Sequence, residues 1–231
     1  MKMYRSHSLE IEQQYDKISK EFDTSRKRIW TSVQDFILKH KRTCKTLLDV
    51  GVGNGKNVLF AKTHNFECVG IDISNNLLNI CRKKLITVFK KDVLELDSSF
   101  GTFDTILSIA TIHHLENTEM QKKALLNMIN CLNENGHLLV SVWSFEIFNR
   151  YEKSDYRDFV IGPNVVEWNS VKGENKVGRF YYIHDYNSFE KMFRDIALIT
   201  PITYDIMWEK QNWFCEIKKC SNSNECQVDR T

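Results

Sequence analysis

Three glycines stand within five residues, at Gly51, Gly53 and Gly55, in the run LLDVGVGNGKN. The run starts with apolar residues typical of a buried strand, carries an acid at Asp49, and continues into a predicted helix. Glycine lets a backbone turn tightly and approach a ligand without a Cβ atom. A second acid, Asp72, follows Gly51 by about 20 residues, the spacing expected of an acid that reaches a ribose diol. The pattern predicts a nucleotide-binding turn.

Three classes of ligand suit such a turn, and the flanking residues separate them. A phosphate-binding P-loop has the pattern GxxxxGK[ST], which fails here because Asn57 follows Lys56. A dinucleotide site has GxGxxG, whereas this chain has GxGxG with Lys56 at the final position. S-adenosylmethionine carries an amino acid where a pyrophosphate would lie, and Asp49 would repel a pyrophosphate but suit an ammonium. The loop therefore favours S-adenosylmethionine as the cofactor.

The surrounding chain alternates short apolar runs with amphipathic stretches, which is typical of an α/β fold built from βαβ units. Strands are predicted at 46–50, 68–72, 87–91, 103–109, 138–143, 202–208 and 213–217. Ser74 is expected to cap one helix, and Thr118 with Gln121 forms a capping box for another, which Asn135-Gly136 ends. A last helix is expected near 188–197.

A single domain is predicted for residues 1–231, because this length and a hydrophobic fraction of 42% suit one core. Residues 1–44 form a helical lead of two amphipathic segments, with Thr24 and Ser25 as caps between them. Residues 45–143 form a cofactor-binding half, 144–178 an insertion or lid without clear period, 179–219 a substrate-side half, and 220–231 a tail.

Charge and cysteine content limit the partners and the compartment. The formal net charge is only +2, which excludes nucleic-acid binding through bulk charge, although residues 1–46 hold 11 Lys plus Arg against six Asp plus Glu. No secretory signal or membrane-spanning apolar run is apparent. Seven scattered cysteines favour free thiols in a reducing compartment, and Cys215, Cys220 and Cys226 lack the spacing of a zinc site. We predict no metal, no membrane contact, and a cytoplasmic location with a nuclear one left open.

The motif DVGVGNG resembles the first motif of class I S-adenosylmethionine-dependent methyltransferases. This resemblance implies a Rossmann-like sheet of seven strands with helices on both faces, preceded by the helical lead. It also implies that Asp72, in GIDIS, holds the ribose hydroxyls and that Asp92, in KKDVL, lies by the adenine amino group. The cofactor-binding set implied by the resemblance is Asp49, Gly51, Gly53, Asn54, Gly55, Asp72, Ile73, Asp92, Val93 and Ser108.

The segment SIATIHHL follows the fourth predicted strand and would face the reactive methyl group, so its chemistry limits the methyl acceptor. Transfer to an exocyclic amine usually uses [DN]PP[YF], which does not occur at 108–111. Transfer to carbon five of a pyrimidine needs a cysteine nucleophile, and the sequence has none between Cys81 and Cys131. What remains favours an oxygen acceptor. A carboxylate is ionised at pH 7, so positioning alone, worth up to roughly 7–11 kcal/mol, would serve.

SIATIHH, VWSFE, RFYY and NWF, with Tyr15, Phe22, Arg26 and Trp30 in the lead, resemble the tRNA wobble-uridine carboxymethyl methyltransferases. The resemblance implies methyl transfer to the carboxylate of 5-carboxymethyluridine at position 34 in the tRNA anticodon loop. It also implies a heterodimer with a small zinc-binding activator subunit. Tyr182 stands where the family has histidine, which weakens any inference about how the tRNA is oriented.

Six residues are candidates for the substrate side of the site. Arg26 and Arg179 would pair with the carboxylate or a phosphate through guanidinium forks. Tyr181 and Trp143 would stack on the unstacked wobble base, and His113 and His114 would orient the acceptor. Simpler roles stay open: packing in the core for Tyr181 and Trp143, a strand cap for one histidine, and a surface ion pair for Arg26.

The predicted strand 87–91 would be a sheet edge, and Leu85, Ile86, Val88 and Phe89 make its surroundings apolar. We expect the activator subunit to add a strand there, unless the N-terminal helices cover that edge. Two other functions stay open: a methyltransferase of a small molecule or protein carboxylate, and a non-catalytic binding module.

Overall fold

The computed structural model describes residues 2–147, 159–169 and 176–221. The strands in these residues, in chain order, are β1 (Thr46–Val50), β2 (Glu67–Asp72), β3 (Val88–Lys90), β4 (Phe103–Ile109), β5 (Leu132–Trp143), β6 (Gly162–Asn169), β7 (Lys176–Ile183), β8 (Ile202–Glu209) and β9 (Asn212–Lys219). The helices are α1 (Lys2–Ser25), α2 (Thr31–His40), α3 (Lys56–Lys62), α4 (Asn75–Lys83), α5 (Thr118–Asn130) and α6 (Tyr186–Ala197).

Seven of the strands form one sheet in the order β3-β2-β1-β4-β5-β9-β8. The pairs from β3 to β5 are parallel, whereas β9 runs antiparallel to both β5 and β8. The order reverses between β1 and β4, so a crevice lies at their carboxyl ends, where ligands bind in open α/β sheets. The predicted seven-stranded α/β fold is confirmed.

Helices cover both faces of the sheet and bury two separate cores. One face packs against α5 and α6, with Leu125, Met128, Phe189 and Phe193 in its core. The other face packs against α2, α3 and α4. Strands β1 and β4 are buried on both faces because each face contributes to a different core.

Several predicted helix ends are wrong, and each has a local reason. Ser74 does cap α4, accepting a hydrogen bond from the Leu77 amide. Thr24 and Ser25 instead lie within α1, where their hydroxyls donate back to carbonyls one turn earlier. The helix α5 ends at Asn130, and Asn135-Gly136 falls inside β5, at an irregular step in its pairing with β4.

The start of α5 is also one residue earlier than the expected capping box. Asn117 is the N-cap, with an extended backbone and a side-chain oxygen that accepts from the Met120 amide at 3.0 Å. Thr118 is therefore the first helical residue, since asparagine caps a helix at least as well as threonine.

The segment 144–178, expected to lack regular structure, contains a strand in its described part. Strand β6 pairs antiparallel with β7, and this hairpin crosses the expected boundary at 178. Burial alternates along β6, since Val166 and Trp168 are buried while Val165 and Glu167 are exposed, but the apolar Val165 hides this alternation in the sequence. The rest of the predicted lid, at 148–158 and 170–175, and most of the predicted tail lie outside the described residues.

The described cysteines partly match the expected free thiols. Cys44, Cys68, Cys81, Cys131 and Cys215 are free and buried. Cys220 is disulfide-bonded, so the expectation is wrong for that residue. Among the described helices, none has the length and apolar character needed to cross a membrane.

The two candidate caps of α5 give a direct test of this helix start. Asn117→Ala should lower the free energy of unfolding by about 1 kcal/mol, because the Met120 amide loses its acceptor. Thr118→Ala should change it by less than about 0.5 kcal/mol. Urea denaturation of both variants measures the difference, and equal losses would contradict the assignment of Asn117 as the cap.

Candidate active site

A cavity of about 540 Å³ opens at the carboxyl ends of β1, β2 and β4. The turns after these strands form its floor, and side chains of α1 and β7 cover it. Most of the predicted site residues line this one cavity, although they come from distant parts of the chain. They are Arg26, Gly51, Gly53, Asn54, Asp72, Ile73, Asp92, Val93, His114, Trp143, Arg179 and Tyr181.

The glycine loop has the backbone conformation that its sequence predicted. Gly51, Gly53 and Gly55 all have positive φ, at 73°, 56° and 79°, where a side chain is strained. A Cβ on Gly51 would come within 2.3 Å of the Thr111 hydroxyl, so the loop also packs closely on the turn after β4. Gly53 contributes its amide, which donates to Asp72 at 2.9 Å.

Two carboxylates lie in the cavity at the places expected for a nucleoside. Asp72 ends β2, and its oxygens accept from the amides of Gly53 and Ser74. Asp92 follows β3 and accepts from the Ser8 hydroxyl at 2.6 Å and the Leu94 amide at 2.9 Å. A carboxylate has about four lone-pair positions, so both groups retain the capacity to accept from a ligand's hydroxyl or amino groups.

Four predicted site residues do not line the cavity. Gly55 faces α4 and the start of β3, where a Cβ would meet Ile86 at 2.3 Å. Ser108 is fully buried within β4, because that strand continues to Ile109 and carries the cavity wall beyond Ser108. His113 is fully buried behind His114, and its Nδ1 accepts from the Trp143 amide at 3.2 Å. These residues support the site from behind rather than contacting its contents.

Asp49 is the fourth, and it lies beneath the glycine loop. It is 1% exposed, and neither carboxylate oxygen has a hydrogen-bond partner within the described chain. Burial raises its pKa to about 7, although the positive charge of Lys56 acts in the opposite direction. Asp49 is therefore a buried acid under the loop, and the expected direct pairing with a ligand ammonium is not what this geometry provides.

His114 connects three elements around the cavity. Its Nδ1 donates to the Phe180 carbonyl of β7 at 2.7 Å, and its Nε2 accepts from the Tyr15 hydroxyl of α1, also at 2.7 Å. Its own carbonyl accepts from Nε2 of His7 at 2.8 Å. Burial lowers the pKa of His114 to about 3, so the ring is neutral at pH 7. This histidine positions its neighbours and is poorly suited to act as a general base.

Two arginines stand over one indole ring. The guanidinium carbons of Arg26 and Arg179 each lie 4.9 Å from the centroid of Trp168, whose Nε1 donates to Glu21. Arg179 is 4% exposed and donates from Nη1 to the Tyr181 hydroxyl at 2.6 Å. A buried guanidinium beside a cavity strongly favours an anionic ligand.

Tyr181 and Trp143 differ in their exposure to the cavity. Tyr181 is 3% exposed, and the rings of His113, His114 and Trp143 pack around it with centroids within 4.6 Å. Packing is therefore a large part of its role. Trp143 is partly exposed and lines the cavity, so its ring can contact a ligand.

Sequence analysis missed most of the residues that cover the cavity. Ser8, Ile11 and Tyr15 line it from α1. The apolar stripe of the helical lead was the signal for Ile11 and Tyr15, whereas no sequence pattern marked Ser8. Asp16 fastens the same helix to the start of α4 by accepting from the Ser74 hydroxyl and the Asn76 amide. Trp168 was missed because its strand was not recognised.

The donor set fits S-adenosylmethionine. Asp72 and Asp92 would hold the ribose and adenine, and the glycine loop would allow the close approach of the cofactor, which would supply an electrophilic methyl group. Residues 22–196 match a family model described as a methyltransferase domain, which is well over half of the chain. The chain therefore belongs to this family and is a class I methyltransferase with S-adenosylmethionine as its cofactor.

Solved structures of low sequence identity share the fold. A methyltransferase from Clostridium acetobutylicum has a TM-score of 0.65 at 15% identity, covering 90% of this chain and 99% of that one. An S-adenosylmethionine-bound amino pentose methyltransferase from Micromonospora echinaspora has a TM-score of 0.60 at 15% identity, covering 84% and 93%.

Sequence relatives are more informative. A tRNA (carboxymethyluridine(34)-5-O)-methyltransferase of Xenopus tropicalis is 34% identical over 142 residues, which are 62% of this chain and 22% of that protein. The Arabidopsis thaliana protein of the same name is 33% identical over 132 residues, 57% of this chain and 32% of that protein. A protein of Encephalitozoon cuniculi named as a methyltransferase is 31% identical, covering 74% and 78%. The chain thus spans about a fifth to a third of the two named tRNA methyltransferases.

The raised pKa of Asp49 can be tested through the pH dependence of protein stability. The folded-state pKa of Asp49, about 7, is above its ordinary value of 3.8. Its contribution to stability is therefore complete below about pH 4 and is lost as the pH rises through 7. Asp49→Asn removes this dependence, so the variant should gain about 2–4 kcal/mol relative to the parent chain between pH 5 and pH 8.

Chemical denaturation of both proteins without cofactor at a series of pH values measures this gain. Asp205→Asn, at an exposed acid on β8, is the control and should show no such trend. A constant difference between Asp49→Asn and the parent across that pH range would contradict the raised pKa.

Proposed function

We propose that this enzyme methylates the carboxylate of 5-carboxymethyluridine at tRNA position 34, giving 5-methoxycarbonylmethyluridine. The observation that carries the proposal is the pair Arg26 and Arg179 over Trp168, which brings two guanidinium groups to one cavity. The named relatives from Xenopus and Arabidopsis act on this nucleoside according to their names, and they support the same choice.

The chemistry of a carboxylate acceptor matches the groups present. S-adenosylmethionine supplies an electrophilic methyl group, and an ionised carboxylate accepts it without any proton transfer. His114, with a pKa of about 3 and both ring nitrogens in hydrogen bonds, is not available to remove a proton at pH 7. The chain's contribution is then to bind the carboxylate through arginine and hold it in line for attack.

The rim of the cavity is basic, which suits an RNA substrate. Arg26 and Arg28 line it from the segment between α1 and α2, and Lys27 is exposed beside them. Lys91 and Lys210 line it from two other segments. Their positive charge can contact phosphates flanking an unstacked wobble nucleoside, and such binding should weaken with salt.

The proposal is tested with two tRNA preparations that differ only at position 34. The enzyme, co-expressed with its activator if it needs one, should esterify tRNA carrying 5-carboxymethyluridine and leave tRNA with unmodified uridine unchanged, as measured by nucleoside mass spectrometry. The single-turnover rate should be flat between about pH 6 and pH 8.5, because the acceptor is already ionised.

Two variants separate the proposed role of Arg179 in binding the substrate carboxylate from binding of the cofactor. Arg179→Gln should reduce kcat/KM for the modified tRNA at least about 100-fold while cofactor affinity stays within a few-fold. Lys191→Gln, at an exposed residue of α6, should leave both unchanged.

A rate that rises tenfold per pH unit would indicate a hydroxyl acceptor instead, and esterification of small carboxylates but not of tRNA would favour the small-molecule alternative. Failure to bind S-adenosylmethionine by calorimetry would favour a non-catalytic module.

We also propose that a small zinc-binding activator subunit pairs with the edge strand β3, forming a heterodimer. Leu85 is 86% exposed and has φ of 58°, an unfavourable conformation for leucine, and Phe89 is 48% exposed. Ile86 and Val88, by contrast, are buried within this chain. The N-terminal helix reaches the edge through the ion pair of Glu12 with Lys90 but leaves Leu85 and Phe89 uncovered.

Placing a charge on the edge strand β3 tests whether the activator binds there. Phe89→Lys should weaken association with the activator at least about tenfold, because a lysine would be desolvated in the interface, whereas Leu198→Lys, at another exposed leucine, should not. Size-exclusion chromatography and calorimetry with the co-expressed activator measure this. A soluble and fully active chain without any partner would contradict the proposal.

A further inference from the structure

Outside the cavity lies a group of three side chains that could bind a metal ion. His40 ends α2, His137 lies in the first half of β5, and Glu216 is on β9. One nitrogen of each histidine and one carboxylate oxygen of Glu216 all lie within 4.8 Å of one another. No spacing in the sequence indicated this group, because its members come from three separate elements.

The three side chains are already in contact with one another. His40 donates from Nε2 to Oε1 of Glu216 at 2.9 Å, and Nδ1 of His137 lies 3.9 Å from the same oxygen. The two imidazole rings are stacked, with centroids 3.8 Å apart. Nδ1 of His137 is buried and has no hydrogen-bond partner within the described structure. A buried polar atom without a partner is unusual and needs an explanation.

These distances suit a tetrahedral transition-metal ion. Zinc binds imidazole nitrogen at about 2.0–2.1 Å and carboxylate oxygen at about 2.0–2.2 Å, which places neighbouring ligand atoms about 3.3 Å apart. The present separations of 2.9 Å and 3.9 Å lie on either side of that value. The two imidazole nitrogens lie within 4.8 Å of each other, so the stacked rings must rotate and approach before all three atoms can contact one ion, and water would complete the coordination.

The charges around the cluster require one rearrangement. Lys39 contacts both oxygens of Glu216, at 2.8 Å and 3.0 Å, and Lys218 is the register partner of His137. The Lys39 side chain is 62% exposed, so it can turn into solvent when an ion replaces its charge. The cluster is also distant from the active site, since six residues of β5, or about 20 Å, separate His137 from Trp143.

We propose that His40, His137 and Glu216 form a zinc-binding site that cross-links α2 to β5 and β9. Two imidazoles and one carboxylate are a ligand set that zinc commonly uses, and the ion would give the unpartnered nitrogen of His137 its partner. Since the site joins an N-terminal helix to the sheet, bound zinc should stabilise the fold without taking part in methyl transfer.

The experiment uses the full chain, stripped of metal and titrated with zinc chloride. Calorimetry should show one equivalent bound, and zinc at about 100 times its dissociation constant should raise Tm by at least about 5 °C. His137→Phe keeps the ring stacked on His40 but removes the ligand nitrogen, so it should lose the Tm shift. His64→Phe, at a histidine outside the cluster, should keep it.

Glu216→Gln provides a second variant in case His137→Phe folds poorly, and it should weaken zinc binding at least about tenfold. S-adenosylmethionine binding by each variant confirms that the fold is intact. The proposal is wrong if the parent chain binds no zinc under these conditions, or if binding persists when His40 and His137 are both replaced by phenylalanine, because the ion would then lie elsewhere.

Discussion

The hydrogen bonds of His114 are the interaction on which the closed shape of the active site depends. This ring joins α1, through Tyr15, to β7, through the Phe180 carbonyl, and it does so from the turn that follows β4. Both bonds require a neutral ring with its proton on Nδ1, and burial keeps the ring neutral. A single side chain thus holds the roof of the cavity against its floor, at the cost of any role in acid–base catalysis.

The electrostatics of the cavity follow from this closure. With α1 and β7 in place, Arg179 is removed from water and lies with Arg26 over Trp168. A guanidinium in such surroundings interacts with an anion more strongly than it would in water. The acids Asp72 and Asp92 lie at the ends of β2 and β3, on the nucleoside side. The cavity therefore offers carboxylates, which suit hydroxyl and amino groups, together with guanidinium groups, which suit a carboxylate.

The seven strands of the main sheet were predictable from their apolar runs, and their bounds match to within two residues except for β5, which begins six residues earlier than predicted. Helix ends were less predictable, since Asn117 and Thr118 are both good caps and only the backbone conformation at Asn117 decides between them. The hairpin of β6 and β7 was missed because its alternating burial, visible at Val166 and Trp168, is set by packing against α1 and the substrate-side residues.

The sequence by itself determined the glycine loop, the acid that ends β2, the acid that follows β3, and the class of cofactor, because these depend on local backbone conformation over a strand, a turn and a helix. Only the tertiary structure decided which residues act together across the chain. It placed Tyr15 against His114 and Trp168 against two arginines, moved His113 and Asp49 behind the cavity, and assembled His40, His137 and Glu216. Such contacts depend on the packing of elements distant in sequence, which no local pattern specifies.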